Sequence, residues 1–428
     1  MDFKTHLKKY LSDENIDKLL DSLKKEDKHA ALLNTDVISD EEFKNLFPNV
    51  IPHPIVKHAY LYDKNEYDLG KSVYHLLGAF YLQEPSAMIP SFLLNPNKDD
   101  IVLDLCAAPG GKSIQSSLLM NGEGLIISND ISRSRCFDML ENVERLGIGN
   151  IIITNNDFSN LYHNYLETFD KIILDAPCSG SGMMRKDKRM IEDWSYHKVL
   201  KNQEIQKSLI SIAYDMLKPG GLLLYSTCSF SYEEDEEIIE YLLKEKGGII
   251  EPLPKSDLFY VDNTLPYGVH LFPYLFDGEG HYICLIRKEG EHKSTSLKDI
   301  SSIKEKDIFI SSKIKKVEHF KDTYFGLTSN PIKLKNLNII RYGVKIGRKQ
   351  KGYFEYDYHY SRFVKDFPNK IMINEDEMKT YLSGNPIVKP CERGYVQINY
   401  KGLKIAFGKS DGKVIKNHFP KGLRRFFS

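Results

Sequence analysis

Six short apolar runs, separated by longer and more polar segments, dominate the pattern of the chain between residues 96 and 290. Apolar and polar residues do not alternate within these runs, which is typical of strands that are buried on both faces of a parallel sheet. The runs occupy residues 101–105, 125–128, 150–154, 171–174, 221–226 and 282–286. The pattern therefore predicts an α/β domain with a mostly parallel sheet and helices on both of its faces.

The two ends of the chain have different patterns. Near the N-terminus, Ile16, Leu19 and Leu23 have helical spacing and a proline-rich stretch follows, which predicts an α/β extension. After the central domain, a stretch rich in lysine, glutamate and serine without apolar periodicity predicts a linker. The predicted units are an N-terminal extension at 1–95, the central domain at 96–290, the linker at 291–312, an α+β domain at 313–378 and a domain of short strands at 379–428.

Composition narrows the class of protein. The chain has 428 residues, of which 41% are hydrophobic and 28% are charged, as in an ordinary globular protein. No stretch approaches the roughly 18 apolar residues that a membrane span needs. No apolar segment follows the first lysines, as it would in a secretory signal. We therefore expect a cytoplasmic protein without membrane contact.

The cysteines and histidines show neither a disulfide pattern nor a metal pattern. The six cysteines are scattered without a C-x-x-C pair, and none of the 13 histidines has a recognisable ligand spacing, so no metal is expected. Cys136 and Cys284 are expected to be buried hydrophobic residues. The acidic run at 233–237 is interpreted as a helix start, because Ser231 and Glu234 have the spacing of a capping box.

The net charge of zero conceals two parts of opposite sign. Residues 1–290 contain 30 Lys and Arg against 45 Asp and Glu, whereas residues 291–428 contain 29 against 14. The basic part indicates contact with a polyanion, and a solubilising basic surface is the alternative. Aromatic residues lie among its charges, and such rings stack on bases, so RNA is the expected partner. These residues are Tyr353, Phe354, Tyr356, Tyr358, Tyr360 and Phe363.

A glycine-rich turn follows the first predicted strand of the central domain. Small residues and two glycines let backbone N–H groups at the next helix start approach an anionic ligand closely. Asp130 follows the second strand, where nucleotide-binding folds bond ribose hydroxyls, and Asp157 follows the third, where it can accept from an adenine amino group. Each acid alone is alternatively a helix cap. No G-x-G-x-x-G motif is present, so S-adenosylmethionine (SAM) fits better than a dinucleotide. The turn consists of Cys106, Ala107, Ala108, Pro109, Gly110, Gly111 and Lys112.

Two cysteines follow two further strands. Cys178 lies in the sequence Asp-Ala-Pro-Cys-Ser-Gly after the fourth strand, and Cys228 lies in Ser-Thr-Cys-Ser after the fifth. Because ligands bind at the carboxyl ends of parallel strands, both thiols are predicted to lie beside the cofactor. Their polar turns near helix starts favour a reactive thiolate. The spacing alone does not decide which of the two is the nucleophile.

Together these motifs resemble those of the NOL/NOP/Sun family of RNA cytosine-5 methyltransferases. The match rests on residues 104–112, 175–180 and 226–229, and segments 81–87 and 416–424 support it. The resemblance implies a Rossmann-like SAM-dependent core and a PUA-like RNA-binding domain at the C-terminus. It also implies methylation of C5 of cytosine through a covalent adduct between a cysteine and C6 of the base.

The resemblance further implies roles for single residues. Cys228 is expected to be the nucleophile and Cys178 to assist release of the product. Asp175 is expected to hold the edge of the cytosine, if it is protonated or bridged by a cation. The expected SAM-binding residues are those at 106–112, Asp130, Asp157 and Asp175.

The substrate is a separate inference. The C-terminal pattern resembles that of family members that modify small-subunit (16S) ribosomal RNA, either free or in the 30S subunit or an assembly intermediate. The alternatives are the same chemistry on tRNA or large-subunit rRNA, a small-molecule methyltransferase, and a non-catalytic RNA-binding assembly factor. The basic segment 185–189 is expected to contact phosphates, with a solvated loop as the alternative. Nothing in the sequence indicates an obligate oligomer, so a monomer is expected.

Overall fold

The computed structural model describes residues 2–291, 308–329, 332–334 and 336–424. The α-helices in these residues are α1 (Phe3–Leu7), α2 (Asp13–Ser22), α3 (Asp40–Leu46), α4 (Val73–Leu76), α5 (Ile89–Leu94), α6 (Gly111–Leu119), α7 (Arg133–Arg145), α8 (Phe158–Tyr162), α9 (Arg189–Asp193), α10 (Tyr196–Met216), α11 (Glu236–Lys246), α12 (Tyr358–Phe363) and α13 (Glu375–Leu382).

The strands of the same residues fall into four sheets. They are β1 (His29–Leu33), β2 (Ile51–Pro52), β3 (Ala59–Tyr62), β4 (Phe80–Gln83), β5 (Ile101–Asp104), β6 (Leu125–Asn129), β7 (Ile151–Thr154), β8 (Phe169–Asp175), β9 (Leu217–Thr227), β10 (Ile249–Ile250), β11 (Val269–His270), β12 (Tyr282–Arg287), β13 (Lys316–Phe320), β14 (Thr323–Leu327), β15 (Ile339–Tyr342), β16 (Val344–Gln350), β17 (Tyr353–Tyr356), β18 (Lys370–Met372), β19 (Ile387–Val388), β20 (Gly394–Tyr400), β21 (Leu403–Ser410) and β22 (Val414–Lys416).

The central sheet has the strand order β10-β12-β9-β8-β5-β6-β7-β15, and β11 pairs with β12. Its five middle strands, from β9 to β7, are parallel, whereas β12 and β15 run antiparallel to their neighbours. Each of the six apolar runs is a strand of this sheet. The predicted fold class, a mostly parallel sheet between helices, is confirmed.

Helices cover both faces of the central sheet because the middle strands are apolar on both sides. On one face, α5, α6 and α7 contribute Ile89, Ile114 and Met139 to a buried cluster. On the other face, α10 and α11 contribute Ile210 and Ile239 to a second cluster. Cys136 lies in the first cluster and Cys284 in the second, so both are buried as predicted. Because the helices cover the two faces of the sheet, the polar turns that follow the parallel strands lie together at the carboxyl ends of those strands.

The N-terminal extension and the C-terminal domain share one hydrophobic core. The antiparallel sheet β2-β3-β1-β4 supplies Phe80, and α3 supplies Phe43. The sheet β18-β20-β21-β22-β19 supplies Ile398 to the same cluster. The two ends of the chain therefore stabilise each other through buried apolar area.

The C-terminal part is less separate from the central domain than expected. Strands β14 and β16, which precede and follow β15 in sequence, belong to the separate sheet β13-β14-β16-β17. Strand β15 instead pairs with β7 at the edge of the central sheet. The sheet of the last domain includes β18 and therefore begins before residue 379. Residues 292–307 of the expected linker lie outside the described residues.

None of the helices that the structure describes combines the length and the apolar character required to cross a bilayer.

Candidate active site

The two motif cysteines meet at the carboxyl ends of adjacent parallel strands. The Sγ atom of Cys178, three residues after β8, lies 3.2 Å from the Sγ atom of Cys228, which follows β9 directly. Both residues are partly exposed and neither is in a disulfide. The turns are tied together because Gly182 N–H donates to the carbonyl oxygen of Cys228 at 2.7 Å. The sequence prediction that the two thiols lie in one place agrees with this geometry.

Asp175, at the end of β8, connects this pair to the glycine-rich turn. Lys112 Nζ donates to Asp175 Oδ2 at 2.7 Å, and Ser226 Oγ donates to Asp175 Oδ1 at 2.8 Å. Burial opposes ionisation of Asp175, but the Lys112 ammonium holds the pKa of the carboxyl below its usual value. Asp175 is therefore an ionised side chain bridged by a cation, which is the second of the two states expected for it.

The glycine-rich turn leads into α6 without a side-chain cap. Gly110 adopts a left-handed conformation with φ of 104°, and a Cβ atom there would lie 2.7 Å from Met139 Cγ, so a larger residue does not fit. Burial raises the pKa of the Cys106 thiol well above its usual range, which makes this cysteine an unreactive neutral group. The uncapped N–H groups at the start of α6 remain available to an anionic ligand.

The acids predicted after β6 and β7 occupy different environments. Asp130 is buried, and its Oδ2 atom accepts a hydrogen bond from Ala108 N–H at 3.2 Å, so it is tied to the glycine-rich turn. Asp157 is exposed and caps α8, because its Oδ1 atom accepts from Ser159 N–H at 2.9 Å. The structure thus places Asp130 beside the turn and gives Asp157 the helix-cap contact that is its alternative.

Sequence reasoning misses a buried histidine next to Asp175. Burial, with the charge of Lys112, lowers the pKa of His281 to about 4, so its imidazole is neutral near pH 7. Its Nδ1 atom lies 3.2 Å from Ser86 Oγ. Ser86 also donates to Glu84, whose carboxylate accepts the N–H of Ala87 as well. The only sequence signal is the segment 81–87, which supports the family resemblance but by itself indicates no role for the histidine.

The acidic run after Cys228 does not form the expected capping box. The Ser231 side chain makes no cap hydrogen bond, and its Oγ atom has no hydrogen-bond partner among the described residues. Glu234 points instead to the turn that contains Cys178, where Ser179 N–H donates to its Oε1 atom at 2.8 Å. The capping-box prediction is wrong, because a tertiary contact replaces the local one.

Two further members of the run contact the Cys228 turn and β11. Thr227 Oγ1 donates to Asp235 Oδ1, and His270 Nε2 lies 2.6 Å from Glu236 Oε1. These three polar side chains, Asp235, Glu236 and His270, are buried and lie close together. Their contacts to neighbouring residues stabilise the backbone next to Cys228.

The first residue of the basic segment 185–189 is structural. Arg185 is buried, and its guanidinium donates to the carbonyl oxygens of Glu26 and Gly278 and pairs with Asp277 at 2.7 Å. It cannot contact phosphate in this arrangement, so the prediction is wrong for Arg185. Its interactions show that it joins the segment between α2 and β1 to the loop before β12.

Three family models match the chain and together cover most of it. The model of the 16S rRNA methyltransferase RsmB/F matches residues 91–287, that of the N-terminal domain of 16S rRNA methyltransferase RsmF matches residues 1–85, and that of the methyltransferase RsmF PUA domain matches residues 368–425. The chain belongs to the RsmF family of rRNA methyltransferases. It is a SAM-dependent methyltransferase with a C-terminal PUA domain.

Curated RsmF relatives are similar over nearly the whole chain. The ribosomal RNA small subunit methyltransferase F of Vibrio vulnificus is 32% identical over 391 residues, which cover 85% of this chain and 83% of the relative. The protein of the same name from Aliivibrio fischeri is 30% identical over 450 residues, which cover 96% and 94%.

Solved structures share the fold over about two thirds of the chain. A methyltransferase homologue from Pyrococcus horikoshii is 28% identical, with a TM-score of 0.60, and the match covers 66% of this chain and 93% of that one. NSun6 from the same organism has a TM-score of 0.62 at 21% identity over 68% of this chain and 98% of its own, which shows the shared fold.

Proposed function

We propose that this RsmF-family chain methylates C5 of a cytosine in 16S ribosomal RNA, with Cys228 as the nucleophile and Cys178 as the residue that assists product release. The observation that carries the proposal is the 3.2 Å separation of the two sulfur atoms, because thiols this close can act on one base. The proposed substrate form is free 16S rRNA, the 30S subunit or an assembly intermediate in the cytoplasm, bound by a single copy of the chain.

The two thiols suit a reaction that C5 of cytosine does not undergo readily by itself. Covalent catalysis divides one difficult step into easier ones. The Cys228 thiolate adds to C6, and electron density moves to C5. SAM, when bound, supplies the methyl group that C5 receives. A base then takes the C5 proton, the C6–S bond breaks, and the thiolate of Cys228 is restored.

The environment of the two sulfurs supports Cys228 as the nucleophile and Cys178 as the residue that assists release. The hydrogen bond with Cys228, burial and the charge of Glu234 all raise the pKa of the Cys178 thiol well above its usual range. Cys178 therefore keeps its proton at neutral pH and can donate a hydrogen bond to the sulfur of Cys228. Such a bond stabilises the Cys228 thiolate before attack and again when it leaves the product.

Asp175 and Lys112 are proposed to hold the base. The ionised carboxylate of Asp175 can accept a hydrogen bond from the exocyclic amino group of cytosine. The Lys112 ammonium, 2.7 Å from that carboxylate, supplies positive charge beside the ring edge where negative charge develops during the addition. His281, which is close enough to interact with both charges, is neutral near pH 7 and adds no further charge there.

The residues around the glycine-rich turn fit SAM. The uncapped start of α6 suits the carboxylate of its amino-acid part, and the buried carboxylate of Asp130 suits ribose hydroxyls. We propose that residues 106–112, Asp130, Asp157 and Asp175 hold SAM. The Asp157 assignment requires the carboxylate that caps α8 to contact the adenine at the same time.

Adduct trapping on 16S rRNA tests the proposal. Cys178→Ala, incubated with SAM and 16S rRNA, is expected to give a covalent RNA–protein band that survives SDS, because attack proceeds and release fails. Cys228→Ala is expected to give no band and no 5-methylcytosine by bisulfite sequencing. Cys391→Ala, which changes a thiol in the PUA domain, is the control and should behave as the unchanged protein. The reverse pattern between Cys178 and Cys228 would overturn the role assignment. Methylation of tRNA or 23S rRNA but not 16S rRNA would overturn the substrate.

A further inference from the structure

One buried carboxylate contacts the turns of both motif cysteines. Glu234 is fully buried, in a single helical turn at Tyr232–Glu234 that follows the Cys228 turn. Its Oε1 atom accepts from Ser179 N–H at 2.8 Å, and its Oε2 atom accepts from Ser229 Oγ at 2.6 Å. Ser179 directly follows Cys178 and Ser229 directly follows Cys228, so a single side chain bridges the residues next to the two thiols.

All the partners of this carboxylate are donors. Besides Ser179 N–H and Ser229 Oγ, the hydroxyl of Ser179 donates to Oε2, and Gln206 Nε2 donates to Oε1 at 3.2 Å. An ionised carboxylate accepts only, and it can satisfy four donors with two oxygens. A glutamine in its place would present an amide donor to at least one of these groups. The site is therefore built for a carboxylate of this length.

The contacts of Glu234 add to the backbone pairing that brings the sulfurs together. Cys178 and Cys228 are 50 residues apart in sequence but follow the paired strands β8 and β9, and the hydrogen bond from Gly182 N–H to the Cys228 carbonyl oxygen joins their turns. Glu234 couples those turns directly, and its own backbone carbonyl accepts from Tyr225 OH of β9 at 2.6 Å, which anchors it to the sheet. This carboxylate thus adds a direct side-chain link between the residues that follow the two thiols.

Glu234 does not activate the thiols by its charge. A negative charge behind Cys178 opposes formation of a thiolate there, and it contributes to the raised pKa of that thiol. The side chain is fully buried behind the two turns. We propose that Glu234 is a positioning residue that holds Cys178 and Cys228 in register for the covalent reaction. This inference rests on the proposed function, but its structural part can be tested without RNA or SAM.

Oxidative cross-linking measures the register of the thiols directly. Diamide, a thiol-specific oxidant, takes up the two hydrogens of the thiols while a disulfide forms between the sulfurs, and it is reduced to the hydrazine. The unchanged protein is expected to form the Cys178–Cys228 disulfide rapidly, since its sulfurs lie 3.2 Å apart. Glu234→Gln is expected to slow this reaction by about tenfold or more, because displaced sulfurs meet less often.

A series of variants separates position from charge. Glu234→Asp keeps the charge but shortens the reach by one methylene, so it is also expected to cross-link slowly. If only charge mattered, Glu234→Asp would behave as the unchanged protein. Glu237→Gln is the matched control, because Glu237 lies one turn later and contacts Gln203 rather than a cysteine turn. Ser229→Ala removes the hydrogen bond to Glu234 and those that Ser229 Oγ makes with Ser231 N–H and Ser179 Oγ, but it leaves the Glu234 carboxylate and its other donors in place, so a smaller decrease is expected.

Turnover completes the test. Glu234→Gln is expected to lower kcat for rRNA methylation by about 100-fold, as a displacement near 1 Å can do, while the KM for SAM stays within about twofold. Normal cross-linking and normal kcat in Glu234→Gln would overturn the inference. If Glu234→Gln does not fold, as shown by circular dichroism, Ser229→Ala decides the outcome by the same two rates. Should Cys228→Ala still form an RNA adduct, the proposed function fails, while the cross-linking rates still decide the positioning role.

Discussion

Lys112 Nζ lies 2.7 Å from Asp175 Oδ2 and joins two motifs that are 63 residues apart in sequence. The lysine belongs to the first turn of α6, after the glycine-rich turn, and the aspartate ends β8. Only 7% of the lysine side chain is exposed, against 34% for the aspartate, so the ion pair is buried from the lysine side and open from the aspartate side. The carboxylate is therefore accessible from outside while its counter-ion stays buried.

Removal of the lysine is expected to impair the reaction and shift its pH dependence. In Lys112→Met, Asp175 loses the cation that holds its pKa below the usual value, and burial then raises that pKa. The acid limb of the plot of kcat against pH should therefore shift to higher pH. In addition, kcat at pH 7 should fall by about 100-fold, because the edge of the cytosine ring loses the positive charge that stabilises it. Tritium transfer from labelled SAM to 16S rRNA between pH 5 and pH 9 measures both effects.

The control is a lysine in a comparable ion pair away from the site. Lys218 donates to Asp170 at 2.6 Å near the start of β9. Lys218→Met should change thermal stability and leave the acid limb of kcat unchanged. An unchanged pH profile in Lys112→Met would show that the pair does not set the ionisation of Asp175.

Asp104 is expected to make stability depend on pH. Burial raises the pKa of this carboxyl from 3.8 to about 7, although Ser113 Oγ donates to its Oδ2 atom. The folded state therefore holds a proton that the unfolded state releases between about pH 4 and pH 7. The stabilising contribution is complete below pH 3.8 and is lost as the pH rises through 7.

Asp104→Asn should remove this dependence, since an amide does not titrate. The difference in stability between Asp104→Asn and the unchanged protein should shift in favour of the variant as the pH rises from 4 to 7, by about 1.4 kcal/mol for each unit. Above pH 7 the difference should be constant. Thermal unfolding at pH 5, 6, 7 and 8 measures it, and parallel curves for the two proteins would contradict the assignment.

Much of the fold follows from short-range pattern. Strands β5 to β9 and β12 are predictable because they are buried on both faces and so contain unbroken apolar runs. Strand β15 is not, because it is short, partly exposed and lies beyond the expected linker. No local pattern indicates that Ile339–Tyr342 pairs with β7, about 185 residues earlier, since that pairing depends on the tertiary fold.

The site divides in the same way. Cys178, Cys228 and Lys112 are predictable because they stand in motifs at strand ends, where the parallel topology brings them together. Glu234 is not, because its main contact is Ser179, 55 residues earlier, and its local sequence fits a capping box equally well. The role of Arg185 is hidden for a related reason. A basic residue in a charged segment is usually solvated, and only the fold shows the carbonyl oxygens that surround its guanidinium.

Truncation after the central domain is expected to fail. A chain that ends at Glu291 lacks β15, so it exposes the edge of β7 at Ile152–Thr154, and it uncovers the core that the N-terminal sheet shares with the PUA domain. The truncated protein should aggregate or lose about 10 °C or more of Tm, measured by differential scanning fluorimetry. A chain that stops after Arg424 keeps every strand described above and serves as the control. A folded, active protein ending at Glu291 would show that the C-terminal part is an independent unit.

Two facing lysines of the PUA domain are expected to contact RNA phosphates. Lys409 on β21 and Lys416 on β22 are directly opposite in register, and both are exposed. Like charges at opposed positions of a sheet repel each other, so a polyanion that binds there is favoured. The double variant Lys409→Ala/Lys416→Ala should make the fall of log K with log salt less steep for binding to 16S rRNA. The slope should change by about 0.7 to 0.9 for each phosphate that the variant no longer neutralises.

The matched control uses two lysines of the same domain that already have carboxylate partners. Lys379 pairs with Glu375 at 2.9 Å, and Lys389 pairs with Glu377 at 2.9 Å. Because Glu375 and Glu377 already neutralise these two lysines, they attract phosphate less strongly. Lys379→Ala/Lys389→Ala should therefore change the slope of log K against log salt little. Filter binding from 50 mM to 300 mM salt measures both slopes. Equal slopes for the two double variants would mean that the positive charge of the domain acts without a defined phosphate contact, and weaker binding at an unchanged slope would indicate that the two lysines bind bases instead.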